Sequence, residues 1–290
     1  MITFRKIGIY AAAAIMLAVA ACSKEGKYSL ESTPPLDFRT HYNGLTVTFV
    51  NAVPGTTNII WDFGDSTTVA TGDSVMHTYA HIGLYLITMK GTLNGSSYAF
   101  HTALRVDKAS NIKMDDGTFD DWKTVTYPDF LLRGKGVIDT GKIDYDANNV
   151  YFFVQYVTSD PGSDLDNGIV DLFFDSDNSA ATGLTYKGLG CDYLLEGNVP
   201  NWFDPYIFAG SSQSDWTFNW LSLPGFYTLG YTETSGDTVR MEFSVSRELL
   251  HLTSDEFQFA FTLMNSDWSD VGYLADGELN EKIQVLMNKQ

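Results

Sequence analysis

The chain is poor in cysteine, histidine and positive charge. Its 290 residues contain 2 cysteines, Cys22 and Cys191, too few for a disulfide framework. Of its 5 histidines, His41, His77, His81 and His101 fall in the first part and His251 alone in the second. The second part therefore lacks the material for a His-based catalytic or zinc cluster. Lys and Arg number 18 against 36 Asp and Glu, a formal charge of -18. No basic cluster exists to neutralise a phosphate backbone, which excludes nucleic acid as a partner. Missing too are a P-loop, a dinucleotide-binding glycine pattern and a Ser nucleophile elbow. Paired carboxylates are no guide to glycoside hydrolysis here, since an acid-rich chain brings some pair to the required separation in almost any fold. No enzyme activity is expected.

What the chain does have is 44% hydrophobic and 14% aromatic residues with 25 glycines. No long Ala-, Leu-, Glu- and Lys-rich run interrupts this, so short strands joined by polar turns are expected, an all-β protein of two domains. The N-terminus stands apart. Arg5 and Lys6 precede an apolar run over 7–18 that ends in Val19-Ala20-Ala21-Cys22. A basic start and an apolar stretch shorter than the roughly 20 residues of a membrane-spanning helix read as a lipoprotein signal, 1–21, with lipidation of Cys22. Loss of Arg5 and Lys6 would leave 36 acids against 16 bases, a charge of -20. Residues 22–36 are polar and contain Pro34-Pro35, which suits an extended tether. Lys24 and Glu25 loosely match the charged signals that place lipoproteins on the outer face in Bacteroidetes-like bacteria. The expected location is the outer membrane, lipid-anchored and facing the cell surface.

Strand signals crowd residues 37–107. Residues 46–50 and 84–89 alternate apolar with polar, 58–63 run into Gly64-Asp65, and Asn94-Gly95 is a strong hairpin dipeptide. Trp61-Asp62-Phe63-Gly64-Asp65, His77-Thr78-Tyr79 and Gly83-Leu84-Tyr85-Leu86-Ile87-Thr88 together resemble the PKD family closely. The resemblance implies an immunoglobulin-like β-sandwich acting as spacer or protein-contact surface. Trp61 and Phe63 share one face of a strand by the two-residue period, so Trp61 is read as core. Ser66 departs from the family, which more often has Gly there.

Residues 108–290 carry further strand signals at 150–157, 169–174, 192–195, 206–209, 226–231, 239–245 and 257–264, a second and larger β-sandwich. Only 246–250 reads as helical, with Ser246 as N-cap. The ordered motifs Asp115-Asp116-Gly117, Asn149-Val150-Tyr151-Phe152, Phe173-Phe174-Asp175-Ser176-Asp177-Asn178, Thr182-Gly183 and Gly190-Cys191-Asp192-Tyr193 resemble family 9 carbohydrate-binding modules and their DOMON-like relatives. That resemblance implies a sandwich binding sugars or, in some relatives, haem or another small ligand.

Alternate acids in Asp175-Ser176-Asp177-Asn178 follow an apolar strand, where a turning backbone gathers oxygens around a hard cation; structural calcium is the expectation. The family resemblance suggests Asp192 as a third ligand. Sugar rings present apolar C–H faces that stack on aromatic side chains, and Trp202, Trp216, Trp220 and Trp268 sit among Asn, Asp, Gln and Ser as a binding platform would. Alternation of Trp216, Phe218 and Trp220 also fits a strand face turned to the core. Trp122 is read as a packing residue, and Cys191 as a small buried hydrophobe. The expected role is a surface-anchored lipoprotein that captures polysaccharide or oligosaccharide for outer-membrane transporter or enzyme partners. Two alternatives stand beside it: an adhesion or assembly subunit that binds protein, and a lipid-anchored glycan hydrolase.

Overall fold

Period-two alternation builds the first half of the chain. The computed structural model describes residues 35–127, 130–159, 168–198, 202–252 and 255–287; the signal, Cys22 and nearly all of the tether lie outside the described residues. Seven strands come first: β1 (Phe38–Asn43), β2 (Thr46–Asn51), β3 (Thr57–Asp62), β4 (Ala70–Thr71), β5 (Ser74–Thr78), β6 (Gly83–Leu93) and β7 (Ser96–Val106). They pair as two antiparallel sheets, β1-β2-β5 and β4-β3-β6-β7, which pack face to face. Along β3 the side chains of Ile59 and Trp61 are buried and those of Thr57, Ile60 and Asp62 exposed, as a sheet with one wet face requires. Trp61 is fully buried against Phe38 and Phe49 and donates its indole N–H to the carbonyl of Gly72 at 2.9 Å.

The residues of the PKD-like motifs form one network. Phe63 stacks on His77 at 4.0 Å, His77 Nε2 lies 2.7 Å from Asp65 Oδ2, and the Tyr79 hydroxyl donates to the Phe63 carbonyl. Gly64 has φ +73°, and a Cβ there would stand 2.5 Å from the carbonyl oxygen of Leu86, so no other residue fits. Ser66 also holds a positive φ, 66°, a conformation that explains the family's use of Gly at this position. Asn94 and Gly95, at φ 52° and 82°, close the β6–β7 hairpin.

The second half begins with a single 3-10 turn, Asp121–Thr124, that buries Trp122. Its strands are β8 (Leu131–Gly136), β9 (Ile138–Tyr145), β10 (Asn149–Val157), β11 (Ile169–Asp175), β12 (Leu184–Tyr186), β13 (Leu189–Cys191), β14 (Tyr193–Asn198), β15 (Trp202–Phe208), β16 (Phe218–Trp220), β17 (Tyr227–Ser235), β18 (Thr238–Ser246), β19 (Glu256–Met264), β20 (Asp270–Ala275) and β21 (Ile283–Leu286). Twelve of these form one antiparallel sheet in the order β16-β15-β14-β11-β19-β20-β8-β9-β10-β18-β17, with β21 beside the first half of β19. The sheet curls on itself, so Phe152 of β10 meets Phe174 of β11 and Phe259 of β19 across the core, and Phe203 of β15 meets Phe243 of β18. An all-β architecture of two sandwiches is therefore what the chain adopts. Among the described residues no helix is long and apolar enough to cross a membrane.

One local expectation differs. Residues 246–250 make a single turn and not a helix: Ser246 Oγ accepts from Leu249 N as a cap, Leu250 N donates to the Ser246 carbonyl, and His251 at φ 54° ends the segment, with His251 N and Leu252 N donating to the carbonyls of Glu248 and Arg247. The buried Arg247 side chain donates to Asp107 and to the Asp146 carbonyl, and its N–H to the Asn148 carbonyl, which ties the turn to its neighbours. Trp122, as expected, is a packing residue: its indole donates to the fully buried Glu242 carboxylate at 2.6 Å.

Candidate functional site

The site lies on the outer face of the sheet half formed by β16, β15, β14, β11 and β19. On β11, Val170, Leu172 and Phe174 point into the main core, which forces Asp171 and Phe173 to the opposite face. Phe173 is covered by the β12–β13 hairpin, whose Leu184, Leu189 and Cys191 form a small second core with Leu194 and Ala260. Cys191 is a free thiol pushed far up by burial, in keeping with its reading as a small hydrophobe.

Beyond this plug runs a groove of about 430 Å³. Aromatic rings of Tyr186, Tyr206, Trp216, Phe218 and Trp268 line it, and the carboxyl groups of Asp171, Glu196 and Asp270 supply its polar surface. Two of the four expected Trp residues, Trp216 and Trp268, thus reach one groove from loops far apart in sequence. Their rings are 60% and 56% exposed. Trp216 precedes β16, and its ring is propped edge-on by Tyr186 at 5.2 Å and Phe173 at 6.2 Å. Its loop is tied at both ends: Asp215 accepts from Ser211 and from the Thr217 hydroxyl, and Gln213 Nε2 donates to the carbonyls of Ala180 and Thr182.

Trp268 occupies a left-handed position, φ +68°, in a turn closed by its own N–H to the Asn265 carbonyl. A bulky residue there costs backbone strain of order 1–3 kcal/mol, a cost typical of functional positions. Trp220, at 59% exposed, lies on β16 outside the groove lining and donates to Asp204 Oδ1 at 3.3 Å. The Trp216, Phe218 and Trp220 alternation is therefore not a core face; Trp216 sits off the strand altogether. Trp202 opens β15, and its side chain lies outside the described residues.

Strand register also builds an acidic row that sequence reading missed. Asp171 stands directly opposite Glu196, and Glu196 directly opposite Asp204, on three adjacent strands. Asp171 is 5% exposed and its Oδ1 has no hydrogen-bond partner. Burial first, then the charges of Glu196 and Asp270, push its carboxyl up to about 8, against a smaller opposing effect of Lys187. Burial and the Asp204 charge raise Glu196 likewise. Lys187 itself is committed elsewhere, bonding Thr262, Asp270 at 3.2 Å and Glu281. One signal was present in the sequence: Asp171 interrupts an otherwise apolar strand, where a charged residue is seldom found without a purpose.

The other acidic group lies at the end of the same strands. The register Phe174 opposite Tyr193 carries Asp175 up beside Asp192, and Asp177 joins them from the turn. The three offer carboxylate oxygens all within 4.8 Å of one another. Backbone N–H groups orient them: Ser179 and Gly190 donate to Asp175, and Ser176 and Asp177 to Asp192. Among the described residues none is ion-paired with Lys or Arg, and burial raises Asp175 and Asp192. Three oriented carboxylates without a compensating charge fit a hard divalent cation that takes oxygen ligands.

Residues 39–106 match the PKD domain family. The comparison with curated proteins gave no match. Similar solved structures include the PKD1 domain of the Vibrio cholerae metalloprotease PrtV, with 26% identity, 27% of this chain and 100% of that one covered and a TM-score of 0.24. The PKD1 domain of Vibrio anguillarum Epp gives 20% identity over 27% of this chain and 98% of that one, at a TM-score of 0.24. A family 9 carbohydrate-binding module from Caldicellulosiruptor kristjanssonii, solved with cellotriose, gives 14% identity, 60% and 89% coverage and a TM-score of 0.35.

Proposed function

We propose that this chain is a glycan-binding lipoprotein of the cell surface. The observation that carries the reading is the shared groove: two exposed indole rings on loops, one of them held in a strained backbone conformation, over a floor of carboxyl groups. Apolar ring faces and hydroxyl-bonding acids in one open trough are what a sugar chain needs. A glycan array followed by calorimetric titration of the purified protein tests it; binding to at least one oligosaccharide is expected, and an array without any binder rejects the reading.

The first sandwich would hold the groove away from the membrane, with residues 22–36 as tether and Cys22 as the lipid site. Labelled palmitate should enter the wild-type protein in cells and fail to enter a Cys22→Ser variant, which should also leave the membrane fraction. Persistence of both label and membrane attachment in that variant would remove the anchor assignment.

Calcium is the cation proposed for Asp175, Asp177 and Asp192. Bound there, it would supply charge compensation and rigidity rather than chemistry. Gln213 clamps the carbonyls of Ala180 and Thr182 in the loop that follows Asp177, so order in that loop is passed to the Trp216 loop. Chelation is expected to lower the melting temperature and weaken oligosaccharide binding together, since an ion held only by the folded form at 100 times its Kd stabilises by about 2.7 kcal/mol. Unchanged melting in chelator, compared with millimolar calcium, would overturn the site.

A further inference from the structure

The acidic row is unexpected for a neutral sugar. Like charges directly opposite one another on adjacent strands destabilise a sheet, and here Asp171, Glu196 and Asp204 form such a series across β11, β14 and β15. Asp204 is relieved by the Trp220 indole. Asp171 is not relieved: it is 5% exposed, its Oδ1 has no partner, and it lies in the groove wall. Among the described residues neither Asp171 nor Glu196 is ion-paired, and the neighbouring Lys187 serves Asp270 and Glu281. One or two carboxyls would suffice to bond sugar hydroxyls. A third, left buried and unpartnered, calls for positive charge.

We infer that the groove recognises an amino sugar bearing a free ammonium group, with the carboxyl groups of Asp171 and Glu196 as its partners. The inference rests on the glycan reading and narrows it to one substrate class. Two observations favour an organic ammonium over a metal ion. Among the described residues only Asp175, Asp177 and Asp192 bring three potential metal-ligating side chains within 4.8 Å of one another, and Asp171 and Glu196 are not of that group. Rings of Tyr186, Tyr206, Trp216 and Trp268 surround the acids, and aromatic faces attract ammonium groups while offering nothing to a hard cation. Glu196 supplies charge at the groove, Asp171 is held protonated by burial and its acidic neighbours and gives up its proton as the ammonium arrives, and the rings cover the sugar's C–H faces.

Calorimetric titration of the full protein at pH 6 with three trimers decides the matter: fully deacetylated chitotriose, fully N-acetylated chitotriose and cellotriose. The deacetylated trimer should bind at least tenfold more tightly than the other two. In Asp171→Asn and Glu196→Gln alike, the preference for the deacetylated trimer over the neutral ones should fall below threefold, whatever either change does to neutral binding through lost hydroxyl contacts. Asn matches the size and neutral form of the Asp171 carboxyl and Gln takes a charge from Glu196, so folding is expected to survive, and thermal melting checks it. If all three trimers bind within threefold, or a neutral one binds best, the ammonium inference falls and glycan binding stands. Tight binding of the deacetylated trimer that both variants retain means general attraction to a chain of charge -18, and also overturns it. Failure of all three trimers to bind removes the inference, and the glycan reading is then decided by the array alone.

Discussion

Replacing Arg247 with Met is expected to lower the free energy of unfolding by about 3–5 kcal/mol, the usual cost of stranding one member of a buried ion pair. Arg247 and Asp107 are each 2% exposed, and Nη1 donates to Asp107 Oδ2 at 2.8 Å and to the Asp146 carbonyl. Asp107 follows the last strand of the first sandwich, whereas Arg247 follows β18 of the second. Lys108 adds a pair with Asp144, stacked over Tyr145 at 4.5 Å, and Arg105 a more exposed one with Asp255 at 2.6 Å. The exposed pair contributes little. The buried one joins the two sandwiches. Met fills most of the volume of the Arg stem, so the loss measured in the variant is the unpaired Asp107 and not a cavity. Adding Asp107→Asn to the same chain should restore part of the stability, because the stranded charge is gone, and the coupling in the double-mutant cycle should exceed about 1 kcal/mol. Urea unfolding followed by Trp fluorescence measures all of this. Trp61 reports on the first sandwich and Trp122 on the second. Coincident wild-type and Arg247→Met midpoints would show that the pair contributes nothing to the fold or to docking of the sandwiches.

Much of this architecture is legible in residues that answer to local rules. Alternation at 46–50 and 84–89, the Asn94-Gly95 turn and the apolar runs at 150–157 and 257–264 fix strands whatever their partners. The β8–β9 hairpin is harder to read, since Gly134, Gly136 and Gly141 remove the side chains that would mark alternation. β12, β13 and β21 are three or four residues long and exist because a neighbour is in place. The groove is less visible still. Asp171 meets Glu196 only through the β11–β14 register, and a slip of one residue would send it into the core. Trp216 and Trp268 lie more than fifty residues apart, and only the covering of one sheet face by their loops unites them. Asp175 and Asp192, by contrast, are linked by the family resemblance, and the same register explains why they meet.

Truncating Trp216 and Trp268 together to Ala should weaken oligosaccharide binding by at least a hundredfold while moving the melting temperature by no more than a few degrees. The reasoning starts from exposure. Both rings already stand 60% and 56% in water, so their removal takes little from the folded state. Trp216 loses two edge contacts, with Tyr186 and Phe173, each worth about 0.5–1.5 kcal/mol when fully buried and less for a residue 60% exposed. Binding is a different matter, because a central aromatic anchor covered by ligand is worth about 2 kcal/mol, or roughly thirtyfold in Kd. The two rings come from separate loops, so their losses should add nearly in full. Trp268 allows a sharper test. Trp268→Gly deletes the ring and relieves the left-handed backbone at once, so it should bind as poorly as Trp268→Ala yet melt higher. Opposite movement of affinity and stability at one position is what a residue kept for its ligand shows, and a purely structural Trp cannot produce it. Trp220→Ala, outside the groove lining, should leave affinity within about threefold. Should the double variant bind as the wild type does, with Trp220→Ala the damaging change, the recognition surface belongs to the β16 edge and not to the groove.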